Sequence, residues 1–261
     1  MVNMMKYIIF LLLALGINAN ANNIIHLKEG NFVHIRGKIN DYAVQQFILD
    51  VLKISSDEIY IYISSPGGSV HSGNEIIQTI TALNLSGKSI HCIADFAASM
   101  AFSILQTCTY RHVMPTSILM QHQMSLGVDG KFEEILNYLD MIVQMKLNSD
   151  DVQSNRLGMT NTEFNNKISN DWWLYGDNII TNNAADNIVN VLCNSALLVH
   201  NINQTIDTFF GPVTLEFSKC PLIRKPLNVY FSEHLHADNK TSALNFINNE
   251  HLYGKAIAFI N

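Results

Sequence analysis

Twice in this chain an apolar strand pattern runs through a few small residues straight into a helical pattern, and a serine stands at each junction. Ile59-Tyr60-Ile61-Tyr62-Ile63 reads as a buried strand ending in Ser64-Ser65-Pro66-Gly67-Gly68-Ser69-Val70. Ile76, Ile77, Ile80 and Leu83 then recur at helical spacing. Ile90 to Ala94 repeats the pattern, passing through Asp95-Phe96-Ala97-Ala98 to Ser99 and on to Phe102, Ile104 and Leu105. Upstream, Phe32 to Arg36 reads as the first strand, with Asp41 capping a helix that carries Val44, Phe47, Ile48, Val51 and Leu52. Strand and helix in alternation predict an α/β fold with parallel pairing.

A serine where a strand turns into a helix lies beside backbone N–H groups that have no partner of their own. Such groups can stabilise a developing oxyanion. The plain alternative is a serine that only caps a buried helix. Likewise Pro66-Gly67-Gly68 is by itself a turn, although two glycines also let a ligand approach the backbone closely. Further on, Ile118 to His122 reads as a strand ending in histidine, followed by Gln123 to Gly127, and later comes Asn170-Asp171-Trp172-Trp173-Leu174.

In order and spacing, SSPGGSV, AASMA, MQHQ and NDWWL resemble the Clp protease proteolytic subunit family over residues 32–193. The resemblance implies an α/β, Clp/crotonase-like spiral of ββα units with a long handle helix. Periodicity alone does not separate that from a doubly wound sheet. It implies a serine endopeptidase acting on peptides or unfolded proteins, with Ser99 as nucleophile, His122 as general base and Asp171 as the orienting carboxylate. The chemistry is coherent, because a serine hydroxyl needs an imidazole to take its proton, and a carboxylate holds that imidazole in one tautomer. By the same resemblance the backbone amides of Gly68 and Met100 form the oxyanion hole. An extended substrate would run along Gly67, Ser69 and Val70 on one side and Met124, Ser125 and Leu126 on the other, a strand addition that reads main chain. No metal and no cofactor is implied. The family builds homo-oligomeric rings; six or seven subunits, possibly doubled, are expected. The apolar positions Phe132, Ile135, Leu136, Leu139, Ile142 and Val143 then mark the handle helix between rings, or else a plain core-facing helix.

Several residues depart from the family pattern. Asp95-Phe96 stands where the family has Gly-Gln, Ala101 replaces a glycine and Met124 replaces a proline. Two other readings stay open: a catalytically silent structural or regulatory ring subunit, and a crotonase-like enzyme acting on a thioester. A Ser-Lys peptidase would need a lysine in place of His122, which the sequence does not supply.

The chain has 261 residues and a net charge of −6 with no basic run, which argues against nucleic acid as a partner. Lys6, the apolar run from Tyr7 to Gly16 and Ala19-Asn20-Ala21 together match an export signal, cleaved after Ala21. The run is short of the roughly 20 apolar residues of a membrane span. The expected organisation is therefore a signal peptide over 1–21, a peptidase domain over 22–194 and a C-terminal extension over 195–261. A membrane-anchored or cytoplasmic chain is the alternative. The family's ATP-driven AAA+ unfoldase is left open as a partner, since an exported enzyme has no ATP to draw on. Cys92, Cys108, Cys193 and Cys220 lack metal-site spacing. An oxidising compartment permits disulfides, but Cys92 and Cys108 lie in apolar segments and read as buried small hydrophobes. Beyond 195, strands are expected at 213–217, 227–231 and 256–260. His234, His236 and Asp238 read as a solvated loop rather than a metal site.

Overall fold

The computed structural model describes residues 24–199, 201–209, 211–231, 240–242 and 244. The expected leader at 1–21, the strand at 256–260 and the His234, His236 and Asp238 cluster lie outside these.

A sheet of order β2 (Phe32–Arg36), β3 (Glu58–Ser65), β4 (Ser89–Ala98), β5 (Tyr110–Gln121), β6 (Trp172–Tyr175) forms the centre. The first four strands pair in parallel, and β6 runs antiparallel to β5. Crossover helices α1 (Asp41–Val51), α2 (Val70–Leu85) and α3 (Met100–Thr107) connect the parallel strands. Asn40, not Asp41, caps α1: its side chain accepts from the Ala43 amide at 2.9 Å, and Asp41 is the first helical residue.

The run of apolar residues in β3 reflects burial on both faces, as expected of parallel strands covered on each side. Ile59, Ile61 and Ile63 pack with Val44, Phe47, Ile76, Ile80 and Phe102 in the main core. Tyr60 and Tyr62 point the other way, into a second core with Leu27, Ile93, Val191 and Cys220. Each fully buried aliphatic chain contributes about 1.5–3 kcal/mol.

The second layer includes a strand the sequence pattern did not suggest. Ile24–Leu27 forms β1, preceding the expected first strand and pairing in parallel with β8 (Asn190–Cys193). A short β7 (Asn187–Ile188) joins β5. After helix α4 (Phe132–Leu157) come α5 (Asn161–Ile168), α6 (Asp177–Thr181) and α7 (Ala196–Val199). Gly158 ends α4 in the left-handed conformation at φ 72°, and a capping box of Thr160 and Glu163 starts α5. A three-stranded antiparallel sheet of β9 (Asn201–Thr208), β10 (Gly211–Ser218) and β11 (Asn228–Phe231) follows. Strand β9 has apolar residues only at Ile202 and Ile206; its strand character comes from pairing along the whole of β10.

Helix α4 is not a core-facing element. Its buried residues, Asp150, Gln153, Ser154 and Leu157, all lie in its last two turns. Phe132 is 72% exposed and Val143 51% exposed. The first four turns thus carry an apolar surface that the other described residues leave exposed. Among the described residues no helix is long and apolar enough to cross a membrane.

All four cysteines are paired, Cys92 with Cys108 and Cys193 with Cys220. The expectation of buried hydrophobes holds only as to burial. The sixteen-residue separation of the first pair hides a close approach, because β4 and the end of α3 pack side by side.

Candidate active site

One extra residue in β4 decides which way Ser99 faces. Ile90, Cys92 and Ala94 point into the main core, while Ile93 points to the second. The pairing with β3 then slips at Asp95: Ala94 pairs with Ile63, and Phe96 with Ser64. Past this bulge the faces exchange, so Ala97 joins Ala94 in the main core. A one-residue slip flips every side chain that follows it. Ser99 is thereby delivered to the face on which α2 and α3 pack.

Ser99 itself has φ 56° and ψ −122°, a conformation uncommon for any residue but glycine, and makes no capping hydrogen bond of its own. Three contacts hold it. Its amide donates to the Met120 carbonyl of β5 at 2.9 Å, its carbonyl accepts from Ser103 N–H at 3.2 Å, and Gly67 presses against it. A Cβ on Gly67 would stand 2.6 Å from the Ala98 carbonyl oxygen and 2.8 Å from the Met100 amide nitrogen, so only glycine fits. The Gly67–Ser69 turn is fixed in turn by Ile39, whose N–H donates to Gly67 O and whose carbonyl accepts from Ser69 N–H, both at 2.9 Å. That exchange leaves the Gly68 amide unused. Met100, the first residue of α3, has no acceptor within its helix for its N–H.

His122 follows the end of β5. Its Nε2 lies 2.9 Å from Ser99 Oγ. Its backbone N–H donates to the Gln121 side-chain oxygen at 3.1 Å. The Gln121 amide nitrogen donates to Ser103 Oγ at 3.1 Å and to Gln153 Oε1 at 2.5 Å, and Gln153 donates to Ser149. This buried polar chain, running from α3 and α4 to the histidine, was not anticipated. Gln121 is buried directly after the apolar run Ile118-Leu119-Met120, and a polar residue at that strand end was the available signal.

Asp171 comes to the same end of the sheet, because the antiparallel register sets Gln121 opposite Trp172 and so His122 beside Asp171. Its side chain is exposed, and no hydrogen bond among the described residues joins it to His122. Asp186 is engaged elsewhere. At the opposite end of β5 it accepts from Arg111 Nη2 at 2.6 Å and from the Arg111 amide at 2.7 Å. Burial pushes its carboxyl up, and the hydrogen bonds and charge of Arg111, aided by Arg156, outweigh this and hold it below the ordinary value.

A cleft of about 290 Å³ opens at Ser99 and His122. Val70, Ile77, Met100, Met124 and Met145 give it apolar walls, and Ser103, Gln121 and Gln153 line it with polar groups. Val70 and Met124, two residues expected along the substrate path, both line it. Gly68, Ser69, Ser125 and Leu126 are exposed, with Ser125 and Leu126 in an irregular segment. No cluster of three or more metal-ligating side chains exists among the described residues.

The family model for Clp protease matches residues 18–191. Among curated proteins, the chain is 26% identical over 168 residues to the ATP-dependent Clp protease proteolytic subunit of Borreliella afzelii, covering 62% of this chain and 85% of that protein. It is 25% identical over 168 residues to ATP-dependent Clp protease proteolytic subunit 2 of Tropheryma whipplei, covering 62% of this chain and 92% of the relative. Over a shorter 116 residues it is 34% identical to the subunit of Ligilactobacillus salivarius, covering 42% and 57% of the two chains.

Proposed function

Since the chain belongs to the Clp protease family, and that family supports a peptidase activity, we propose that it is a serine endopeptidase in which Ser99 attacks the scissile carbonyl and His122 takes its proton. The observation that carries this reading is the 2.9 Å separation of Ser99 Oγ and Nε2 of His122 at a junction with φ 56°. With Nε2 unprotonated the hydroxyl donates to it, which is the arrangement proton abstraction requires. The amides of Gly68 and Met100 receive the oxyanion. The Gln121–Gln153 chain fixes the backbone that carries the imidazole. Asp171 supplies a negative charge beside the forming imidazolium, and its carboxylate turns onto the ring when substrate closes the cleft. The substrate lies extended between Val70 and Met124, so main-chain pairing supplies most of the recognition and side-chain preference is broad.

The working form is a homo-oligomeric ring of six or seven subunits, with the bare apolar turns of α4 as the contact between rings. Residues 22–194 form the peptidase domain and 195–261 its extension. The leader-like stretch at 1–21 and the pairing of all four cysteines support export to an oxidising compartment. There, short and unfolded chains are cleaved without nucleotide.

The test offers the purified protein a short fluorogenic peptide, an unfolded protein and a stable folded protein, each with and without ATP and a Clp-type unfoldase. Hydrolysis of the first two, abolished in Ser99→Ala and indifferent to nucleotide, is the expected result. Degradation of the folded protein only with ATP and the unfoldase present overturns the exported, energy-independent reading.

A further inference from the structure

The bulge that aims Ser99 is held from outside the peptidase domain. Asp95, the bulged residue, is 4% exposed. Its Oδ2 forms an ion pair with Nη2 of Arg224 and accepts from Ser64 Oγ at 3.3 Å. Ser64 is the next-to-last residue of β3, just before the Gly67–Gly68 turn. The one carboxylate therefore ties together the two strand ends that present the turn and the serine. Arg36 from β2 and the buried Tyr62 hydroxyl from β3 also face it. Burial pushes the Asp95 carboxyl above its ordinary value, against the opposing pull of Arg224, Ser64, Tyr62 and Arg36.

Arg224 does not reach Asp95 from a free tail. Cys220 is tied to Cys193 by a disulfide. The Pro221 carbonyl accepts from Arg36 Nη2 at 3.0 Å, and Lys219 pairs with Glu29 at 2.8 Å. Leu222 and Ile223 pack on the second core beside Tyr60 and Met114. The segment 219–224 is thus seated across the back of β2, β3 and β4, and its arginine closes over the buried carboxylate.

We propose that Arg224 is a positioning residue for the reaction: by neutralising Asp95 it holds the β4 bulge, and through it the register in which Ser99 and the Gly67–Gly68 turn face one another. This rests on the peptidase reading above and gives the C-terminal extension a part in it. Loss of Arg224 leaves a buried carboxylate whose charge Arg36 alone must balance. The unpaired charge turns out of its buried seat towards water, the bulge relaxes, and the amides of Gly68 and Met100 lose their aim. Substrate binding along Val70 and Met124 is untouched.

The experiment uses the full chain and a fluorogenic peptidyl-aminocoumarin, with fluorophosphonate labelling of Ser99 as a second readout and near-ultraviolet circular dichroism to establish folding. Arg224→Met should lower kcat and the labelling rate by about 10–10²-fold, less than the roughly 10²–10³-fold of an oxyanion donor removed outright, with KM within about twofold. Adding Asp95→Asn removes the buried charge and keeps a side chain that can bond Ser64; the double variant should recover to within a few-fold of wild type. Should Arg224→Met not fold, Arg224→Gln decides, since it removes the charge and keeps a polar head: a lowered kcat at unchanged KM is expected. Wild-type kcat in the folded methionine or glutamine variant overturns the inference, as does a double variant no faster than Arg224→Met alone. A wild type silent to both probes overturns the peptidase reading itself, a different outcome from an active wild type indifferent to Arg224.

Discussion

Gly67 and Ser99 are packed backbone against side chain, so closely that a Cβ on the glycine would stand 2.8 Å from the Cβ of the serine. The contact sets the Gly67–Gly68 turn against Ser99 with no room for adjustment. Gly67 also has φ +89°, which an L side chain adopts only under strain. Gly67→Ala must move the Ala98 carbonyl or the Met100 amide, and neither is a flexible group. We expect a protein destabilised by about 1–3 kcal/mol, with kcat down by about 10²-fold or more. Thermal unfolding and peptide turnover on one preparation check it. Wild-type turnover in a folded Gly67→Ala protein would show that this turn plays no part in the chemistry.

Asp171 presents the opposite situation, a residue near its partner by strand register yet exposed and without a hydrogen bond to it. A buried, bonded carboxylate in this role is worth about 10⁴ in kcat when changed to the amide. Asp171→Asn should cost less, about 10²-fold, because the solvated carboxylate must first turn onto the ring. The measurement is kcat/KM against pH for both proteins. Unchanged activity across the profile removes Asp171 from the mechanism.

At the far end of β5, Arg111 is 2% exposed and relies on Asp186 for its countercharge. Asp186→Asn leaves that guanidinium buried and unpaired, which should cost about 3–5 kcal/mol. The pH dependence follows from the direction of the shift. The folded carboxyl titrates below its ordinary value of 3.8, so the pair is fully stabilising above that value and is lost as pH falls through the folded one. Denaturant midpoints between neutral pH and pH 3 should therefore drop less steeply in Asp186→Asn than in wild type. Parallel curves would mean that the pair contributes nothing to acid stability.

The parts of this site that were legible in the sequence are those in which a polar or small residue interrupts a regular pattern. Ser99, His122 and Gly67 each sit where an apolar strand stops, and a strand end leaves a side chain or an amide free to act. The central sheet and its helices were legible for the related reason that core burial imposes period. What escaped notice depends on contacts far apart in the chain. Asp95 looked like a departure from a motif, whereas its meaning lies in Arg224 and in the shifted register with β3. Cys92 and Cys108 looked like core hydrophobes because disulfide partners buried in apolar segments have that composition too. Gln121 bonds a residue on α4, 32 positions away, and nothing local announces it. Strand β1 was overlooked because its partner, β8, comes near the end of the domain.

The central claim is that Ser99 is a nucleophile activated by His122, and reaction with a fluorophosphonate followed by peptide mapping tests it most directly. Fluorophosphonates react with serines whose proton is taken by a neighbouring base and whose oxyanion is received by aligned amides. The account predicts one labelled peptide, carrying the phosphonate on Ser99, with labelling lost in His122→Ala and in Ser99→Ala while both variants stay folded. Labelling that persists in His122→Ala, or a label found on another serine, would contradict it.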